Sequence, residues 1–595
     1  MTYFKRDRFS GIAPGVAPNL LAEQFGQIAE NIDFESGSLV PIKSEGSVEH
    51  TFTSSGNSVL SFYYYENSVT NRWLQFNSAN VNVIEGPIPG DTYERIYWTG
   101  EAFPKMSVQT VIEGDGSAPF PESSWRLGVP AGESMGSVAL SGTQDDTITP
   151  EDVSYVYTFV TAYGEEGPPS PPTAAVEATI GPSKQSATFN IPNYGGVSGS
   201  INFSRKRIYR SNTGSTNTTF QFVDDVPYAQ TTYSDTKDAA TLQEVLPSAT
   251  WIGPPDDNTS LYPDGPLQGL TPVANGVFAG FTGKRLCLSE PYLPHAWPIS
   301  YRITLEQDIV AIATTANGVV CLTKGKPYFV TGVDPSAMSA LQIDIAQACV
   351  NRDSVVDMGE LILYAGPDGL CAISGTEGRV VTRGLISPAQ WNEDFAPTTI
   401  KAFQHEGTYV AFYDEGSEHK GWVFDPRANE AAISTINTEN TVYAAWPDNE
   451  SGELYILDAL TSLANRRVRK YRGSSSTNKL RWKSKKLVMP QPTSMAWVGV
   501  FADSYPAPAG TDYTGVLRLK VWADDTLIAD YYLHSSGSTY TMSATTPSVA
   551  SSASLHEPIM RLPAVTARQW EAQVESYFPV RELCLAQTMD EIKQA

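Results

Sequence analysis

The chain has 595 residues, with 65 acidic against 41 basic side chains and a formal net charge of −24. That sign excludes a protein that grips nucleic acid over its whole surface, because such binding draws on clustered Lys and Arg. One hydrophobic core rarely serves this length, so several packing units are expected. Aromatic residues make up 11% and charged residues only 18%, which favours strands over surface helices.

Residues 1 to about 45 read as an irregular arm with one short helix. Asn19–Glu30 places Leu20, Leu21, Phe25 and Ile28 at near-helical intervals behind an asparagine positioned to cap. The apolar runs Val59–Tyr65, Arg72–Phe76, Val81–Gly86 and Arg95–Trp98 then predict a four-stranded unit. A Gly/Ser/Thr-rich stretch, Gly132–Pro150, marks a boundary. Between Asp152 and about Asp238, short strands alternate with turn clusters. They are Tyr155–Thr173 with its EEGPPSPPT turn, Ser186–Asn193, Arg205–Ser211, Thr219–Val226 and Thr231–Asp238. This order predicts a small β-sandwich and resembles a fibronectin type III module. A Pro/Gly/Asp-rich linker, Leu246–Gly269, follows.

Next come five hairpins of one pattern, an apolar strand, a Gly-containing turn and a returning apolar strand. They span Val273–Glu290, Asp308–Gly332, Glu360–Gly375, Ile400–Glu415 and Thr441–Ala459. Their turn glycines, Gly283, Gly318, Gly369, Gly407 and Gly452, recur at intervals of roughly 42 residues, the length of one four-stranded propeller blade. The remainder, Leu480–Ala595, carries longer strands and fits either a sandwich-like addition or a final blade with ring closure. Thr588 and Glu591 have capping-box spacing near the C-terminus. The predicted fold is all-β. An N-terminal arm with the first propeller strands (1–148) precedes a fibronectin III-like sandwich insertion (149–245). The main β-propeller blades (246–478) follow, and a β-rich C-terminal segment (479–595) closes or decorates the propeller.

Catalytic chemistry is hard to find. None of the six histidines (His50, His295, His405, His419, His534, His556) has metal-ligand spacing, and His405 and His419 read as surface or turn residues. The acidic turns Asp224–Asp225, Asp256–Asp257 and Asp448–Glu450 lack the calcium-loop pattern and read as local backbone caps. No GxxxxGK[ST] element occurs, and the repeated boxes of sialidase, WD and kelch propellers are absent from the blades. The expectation is a protein with no enzymatic activity, no metal and no cofactor. Cys287, Cys321, Cys349, Cys371 and Cys584 form no CxxC, and three of them (Cys287, Cys321 and Cys371) sit inside apolar runs. With no apolar leader and no run near the ~20 apolar residues of a membrane span, the sequence predicts a soluble chain folded in a reducing cytoplasm.

One charged constellation stands out. Between Arg466 and Lys486 lie ten basic residues, and in an extended strand Lys479, Arg481, Lys483 and Lys485 share one face while Leu480 and Trp482 share the other. The face is either a solvated strand surface over a buried Trp482 or a cationic row aimed at DNA or an acidic neighbour.

Several longer stretches are more specific. They are SEPYLPHAWP (Ser289–Pro298), LTKGKPYFVTG (Leu322–Gly332), Cys349 with SVVDMGELILYAGPDGL (Ser354–Leu370) and SPAQW (Ser387–Trp391). PNLLAEQFGQIAENIDFESGSLVP (Pro18–Pro41) and the C-terminal RLPAVTARQWEAQVE and LAQTMDEI join them. Together these resemble the nozzle, or tail tubular B-type, proteins of short-tailed bacteriophages. Thr566-Ala567-Arg568 departs from a more Gly-containing form of the last box. The resemblance implies a structural virion protein of the tail, assembled in the host bacterial cytoplasm. It implies a homo-hexamer ring below the portal and adaptor, in contact with tail fibres or a tail needle. DNA would pass through its channel without sequence-specific binding, with Lys479, Arg481, Lys483 and Lys485 as candidate channel or subunit-interface cations. The alternative is a carbohydrate-binding or polysaccharide-cleaving β-propeller.

Overall fold

A computed structural model describes residues 3–52, 59–196, 200–213, 218–332, 334–415, 418–428, 432–459, 466–502, 517–536, 539–544 and 559–594. It is all-β and built of β-propeller blades and sandwiches, and it divides into two compact units, 63–343 and 1–62 with 344–595. Among the described residues the α-helices are three short ones, Gln109–Glu113, Pro388–Asp394 and Met589–Gln594.

The 63–343 unit contains three four-stranded antiparallel meanders of blade type. The first is Asn82–Glu85, Ile96–Thr99, Lys105–Ser107 and Trp125–Arg126. The second is Gln268–Val273, Val277–Thr282, Arg285–Leu288 and Ile303–Thr304. The third is Ile309–Thr315, Gly318–Thr323, Tyr328–Thr331 and Ser339–Gln342. Val277–Thr282 and Gly318–Thr323 are buried along their whole length, which is why they read as unbroken apolar runs. The expected blade over residues 59–98 is assembled differently. Ser61–Tyr65 and Arg72–Phe76 form a separate two-stranded pair, and the blade recruits two later strands instead.

At Gly318 a side chain is excluded by the neighbouring strand. It sits at φ 155, and an added Cβ would lie 2.2 Å from the Val330 carbonyl oxygen of the neighbouring strand. Neither strand can yield without breaking the Gly318–Thr331 register. Gly318→Ala is expected to cost about 2–3 kcal/mol, read as a lower urea midpoint with an unchanged slope.

The insertion is a sandwich. Tyr155–Thr161, Phe203–Thr213 and Thr218–Pro227 form one sheet, and Ala139–Ser141, Ser186–Asn190 and Thr232–Asp235 form another. Tyr155, Tyr157, Phe159, Phe189 and Ile208 share its core. Because Ala139–Ser141 pairs with Ser186–Asn190, the sandwich begins inside the polar stretch that reads as a boundary. Past the turn after Thr161, Glu165 and Glu166 are buried. Glu166 accepts hydrogen bonds from Thr158 Oγ1 (2.8 Å), Tyr209 OH (2.7 Å) and Ser248 Oγ (3.3 Å), and Arg207 reaches its other oxygen at 3.1 Å. Glu165 lies 3.6 Å from the Arg95 guanidinium.

The second unit holds three further blade sheets. The first is Val356–Asp357, Ile362–Gly366, Gly369–Ser374 and Glu377–Val380, and the second is Lys401–His405, Thr408–Glu415, Glu418–Phe424 and Ile433–Asn437. The third takes Ala444–Pro447, Leu454–Ala459 and Arg466–Lys470 from the hairpin region and its edge strand, Val48–Thr51, from the N-terminal arm. The C-terminal segment is a sandwich addition. One sheet orders Tyr3–Arg6, Glu582–Ala586, Trp497–Phe501 and Ile559–Arg561. The other runs Gly26–Glu30, Leu480–Ser484, Ala567–Ser576, Leu517–Ala523, Thr526–Ser536 and Thr539–Ala544. Leu39, Leu480, Trp482, Val498, Leu519 and Trp570 lie in the core between them.

The expected arm helix is absent. Residues 18–25 are turns and bends, and Gly26–Glu30 is a strand. The C-terminal helix is present: Thr588 Oγ1 accepts from Glu591 N (3.3 Å), and Glu591 Oε2 accepts from Thr588 N (3.0 Å).

Candidate functional site

The cationic strand is Leu480–Ser484, and its alternation is as expected, with Leu480 and Trp482 fully buried. The partners of the opposite face come from flanking strands of the same chain. On one side Arg481 lies across from Glu30, and on the other from Glu575. Arg481 donates to Glu30, Lys483 pairs with Glu571 at 3.1 Å, and Lys479 pairs with Glu575 at 3.3 Å. Lys520 of the next strand adds a second contact to Glu575 at 3.4 Å, and Arg518 pairs with Asp530 at 2.7 Å.

The face is therefore a ladder of alternating sign rather than a bare cationic row. Burial alone would push the Glu575 carboxyl up, but Lys520, Lys479 and Arg518 outweigh it and hold it below the ordinary range. Glu571 and Glu575 are buried, and Gln573 Nε2 donates to Glu575 Oε1 at 2.8 Å. Lys485 lies beyond the strand end, in the connection to Leu487–Thr493. A Lys483–Glu571 double-mutant cycle is expected to give a coupling of about 1 kcal/mol, above the level of an exposed pair. It is read from urea unfolding of Lys483→Met, Glu571→Gln and the double variant.

The rest of the basic run is likewise engaged. Arg467 reaches Asp458 at 2.6 Å, Arg469 reaches Glu439 at 2.6 Å, and Lys486 reaches Asp525 at 2.5 Å. Arg466 is fully buried with its guanidinium over the Tyr443 ring. The carboxylates that answer Lys479 and Lys483 were present in the sequence as Glu575 and Glu571, which with Gln573 alternate with Trp570, Ala572 and Val574. That alternation was a readable signal for a buried-and-paired strand.

Among the described residues no group of three or more His, Cys, Asp and Glu side chains converges as a metal site. All five cysteines are buried and unbridged, and burial pushes the thiols up, Cys287 to about 11 and Cys349 and Cys371 to about 12. The acidic turn at Asp448 is a backbone cap, with Asp448 Oδ1 accepting from Glu450 N at 3.0 Å.

One histidine departs from expectation. His405 is buried at the end of a strand, and burial lowers it to about 4. His295, inside the Ser289–Pro298 box, is also buried and pushed down to about 4 by burial. The native fold thus holds His295 neutral while the unfolded chain takes a proton near pH 6.5. Its contribution is fully present above that pH and is lost as pH falls toward 4, with about 2.5 kcal/mol gone by pH 4.5. In His295→Phe this segment of the pH dependence is expected to vanish. Parallel stability curves for the two proteins between pH 7 and 4.5 would contradict it.

No family model and no curated protein matches the sequence. Solved structures with similarity include YCF48 from Cyanidioschyzon merolae, at 10% identity and TM-score 0.24, covering 54% of this chain and 95% of that one. The Pan2 WD40 domain of Neurospora crassa matches at 8% identity and TM-score 0.25, covering 67% and 97%. Dihydro-heme d1 dehydrogenase NirN, in complex with DHE, matches at 9% identity and TM-score 0.23, covering 72% and 78%.

Proposed function

We propose that the chain is a structural tail protein of a short-tailed bacteriophage, a nozzle subunit whose ring surrounds the DNA exit channel below portal and adaptor. The observation that carries the reading is that the stretches resembling that family are framework, not reactive surface. In the Ser289–Pro298 box, Trp297 is fully buried and donates from Nε1 to Pro294 O at 2.8 Å, and Ser289 Oγ accepts from Phe278 N at 2.8 Å. Tyr292, held at φ 59, lays its ring against Gly276. In SPAQW, Ser387 and Gln390 form a capping box and Trp391 is fully buried. The buried members of these boxes brace blade sheets.

The charge pattern supports a conduit. A chain at −24 whose densest cationic strand is neutralised by Glu30, Glu571 and Glu575 offers DNA little to adhere to. Removing Lys479, Arg481 and Lys483 would therefore first strand their carboxylates, so an assembly defect in such a variant would report sandwich folding before channel function. The direct test mixes the purified chain with its adaptor and images the product by negative-stain microscopy, with native mass spectrometry in parallel. Closed rings, six copies in each, are expected. A chain that stays monomeric with the adaptor present, or that turns over a polysaccharide, overturns the reading.

A further inference from the structure

In the unit formed by 1–62 and 344–595, the blade strand Ile433–Asn437 meets the arm strand Gly26–Glu30 through a single parallel bridge, Thr435 to Glu30. Beyond that bridge the two strands part. Asn31, at φ 56, turns the arm away, and its side chain replaces the broken ladder. Its Oδ1 accepts from Asn437 N at 3.0 Å, and its Nδ2 donates to Lys479 O at 3.1 Å. The parting leaves two clefts of about 570 and 750 Å³ that share Asn437 and Thr438.

The wall of the smaller cleft has no apolar side chain. Amides and hydroxyls from Asn437, Asn478, Ser44, Ser474, Ser476 and Thr438 dominate it. Its charges cancel, Glu45 and Glu439 against Arg469 and Lys479, and both cations are already held, Arg469 by Glu439 at 2.6 Å and Lys479 by Glu575 at 3.3 Å. The larger cleft continues the groove with Thr435, His419, Tyr413 and Phe395 on its wall. It also carries Glu30, Asp394 and Glu418 against Lys420 and Arg481, and both cations are held, Lys420 by Glu418 at 2.8 Å and Arg481 by Glu30.

We propose that this groove binds an uncharged oligosaccharide. An apolar ligand would find no surface to bury in the smaller cleft. A phosphate or sulfate polymer would meet Glu45 and Glu439 beside cations whose charge is already spent. A neutral polyhydroxylated chain needs interleaved donors and acceptors at modest spacing. Asn478 and Ser476 supply both, while Thr438 and Ser44, whose hydroxyls donate to Asn440 O (2.9 Å) and Ser476 O (3.2 Å), add acceptors. Two adjoining clefts fit a chain of sugars better than a single ring. The proposal does not rest on the ring reading, and failure of ring assembly would leave it intact.

The test probes the full chain against an array of neutral α- and β-linked hexose oligomers, maltoheptaose and cellohexaose included. A heparin hexasaccharide and single-stranded DNA serve as charged comparators, and titration calorimetry follows on the best binder. A neutral oligomer is expected to bind. The Ser476→Leu/Asn478→Leu variant is expected to weaken it at least 10-fold with an unchanged melting temperature. Thr438→Val, at the residue shared by both clefts, gives a second reading if that variant misfolds. The proposal is overturned if no neutral oligomer binds, if a charged comparator binds more tightly, or if the folded variants bind as wild type does.

Discussion

Asp235→Ala is expected to destabilise the inserted sandwich by about 3–5 kcal/mol. Asp235 is fully buried, and the Arg210 side chain is only 2% exposed, with NH1 donating to Asp235 Oδ2 at 2.6 Å. Tyr155 OH donates to the same oxygen at 2.9 Å, and Lys237 N donates to Oδ1 at 2.9 Å. Removing the carboxylate strands a guanidinium away from water and unpairs a core tyrosine in one step, so the loss far exceeds that of a surface pair. Asp235→Asn keeps an acceptor for Tyr155 and should lose less. Replacing both members, Arg210→Met with Asp235→Leu, should recover most of the stability, because two apolar side chains need no partner. The readout is urea unfolding together with limited proteolysis of the 139–235 region. A loss under about 1 kcal/mol for Asp235→Ala would mean that water reaches the pair and that the sandwich core is looser than its packing indicates.

Neither member of that pair was singled out from sequence, and the reason is general. Arg210 lies in RKRIYRS and Asp235 in TTYSDTKD, segments whose strand character was readable from alternation and turn residues. Alternation assigns a face to a residue but does not say what lies across from it. The same limit governs the cationic strand. The period of two placed Trp482 inward and Arg481 outward, but Glu30 is 451 residues away in sequence and reaches Arg481 only through sheet pairing. Three of the five hairpins were legible because a central strand is buried on both faces, which leaves an almost unbroken apolar run beside a glycine.

The arm was misread for the opposite reason. Leu20, Leu21, Phe25 and Ile28 carry near-helical spacing, yet Gly26–Glu30 pairs with Leu480–Ser484 at the far end of the chain, and that pairing overrides local preference. A Cβ at Gly26 would stand 2.7 Å from the Trp482 indole nitrogen, so the glycine is there to admit a ring the local sequence gives no hint of. The polar groove escaped notice because its wall comes from three segments that only the tertiary fold brings together.

Trp482→Ala carries the other large effect, about 4 kcal/mol. The indole is fully buried, set edge-on to Phe9 with ring centroids 4.9 Å apart, and it donates from Nε1 to Ser10 O at 3.2 Å. Its strand neighbours in register are Ala29 on the arm and Val574 on the C-terminal sheet. One side chain thus ties the first thirty residues to the last hundred, and truncation leaves a cavity flanked by small residues that cannot collapse into it. The loss should be local as well as global. Protease should cut first within residues 3–30, before any blade sheet of that unit is attacked, and Trp482→Phe should restore protection without the Ser10 hydrogen bond. If Trp482→Ala instead lowers stability with no change in cleavage order, the arm is held by its backbone pairing alone. The two-sided seam through Arg481 and Glu30 would then be the stronger tie.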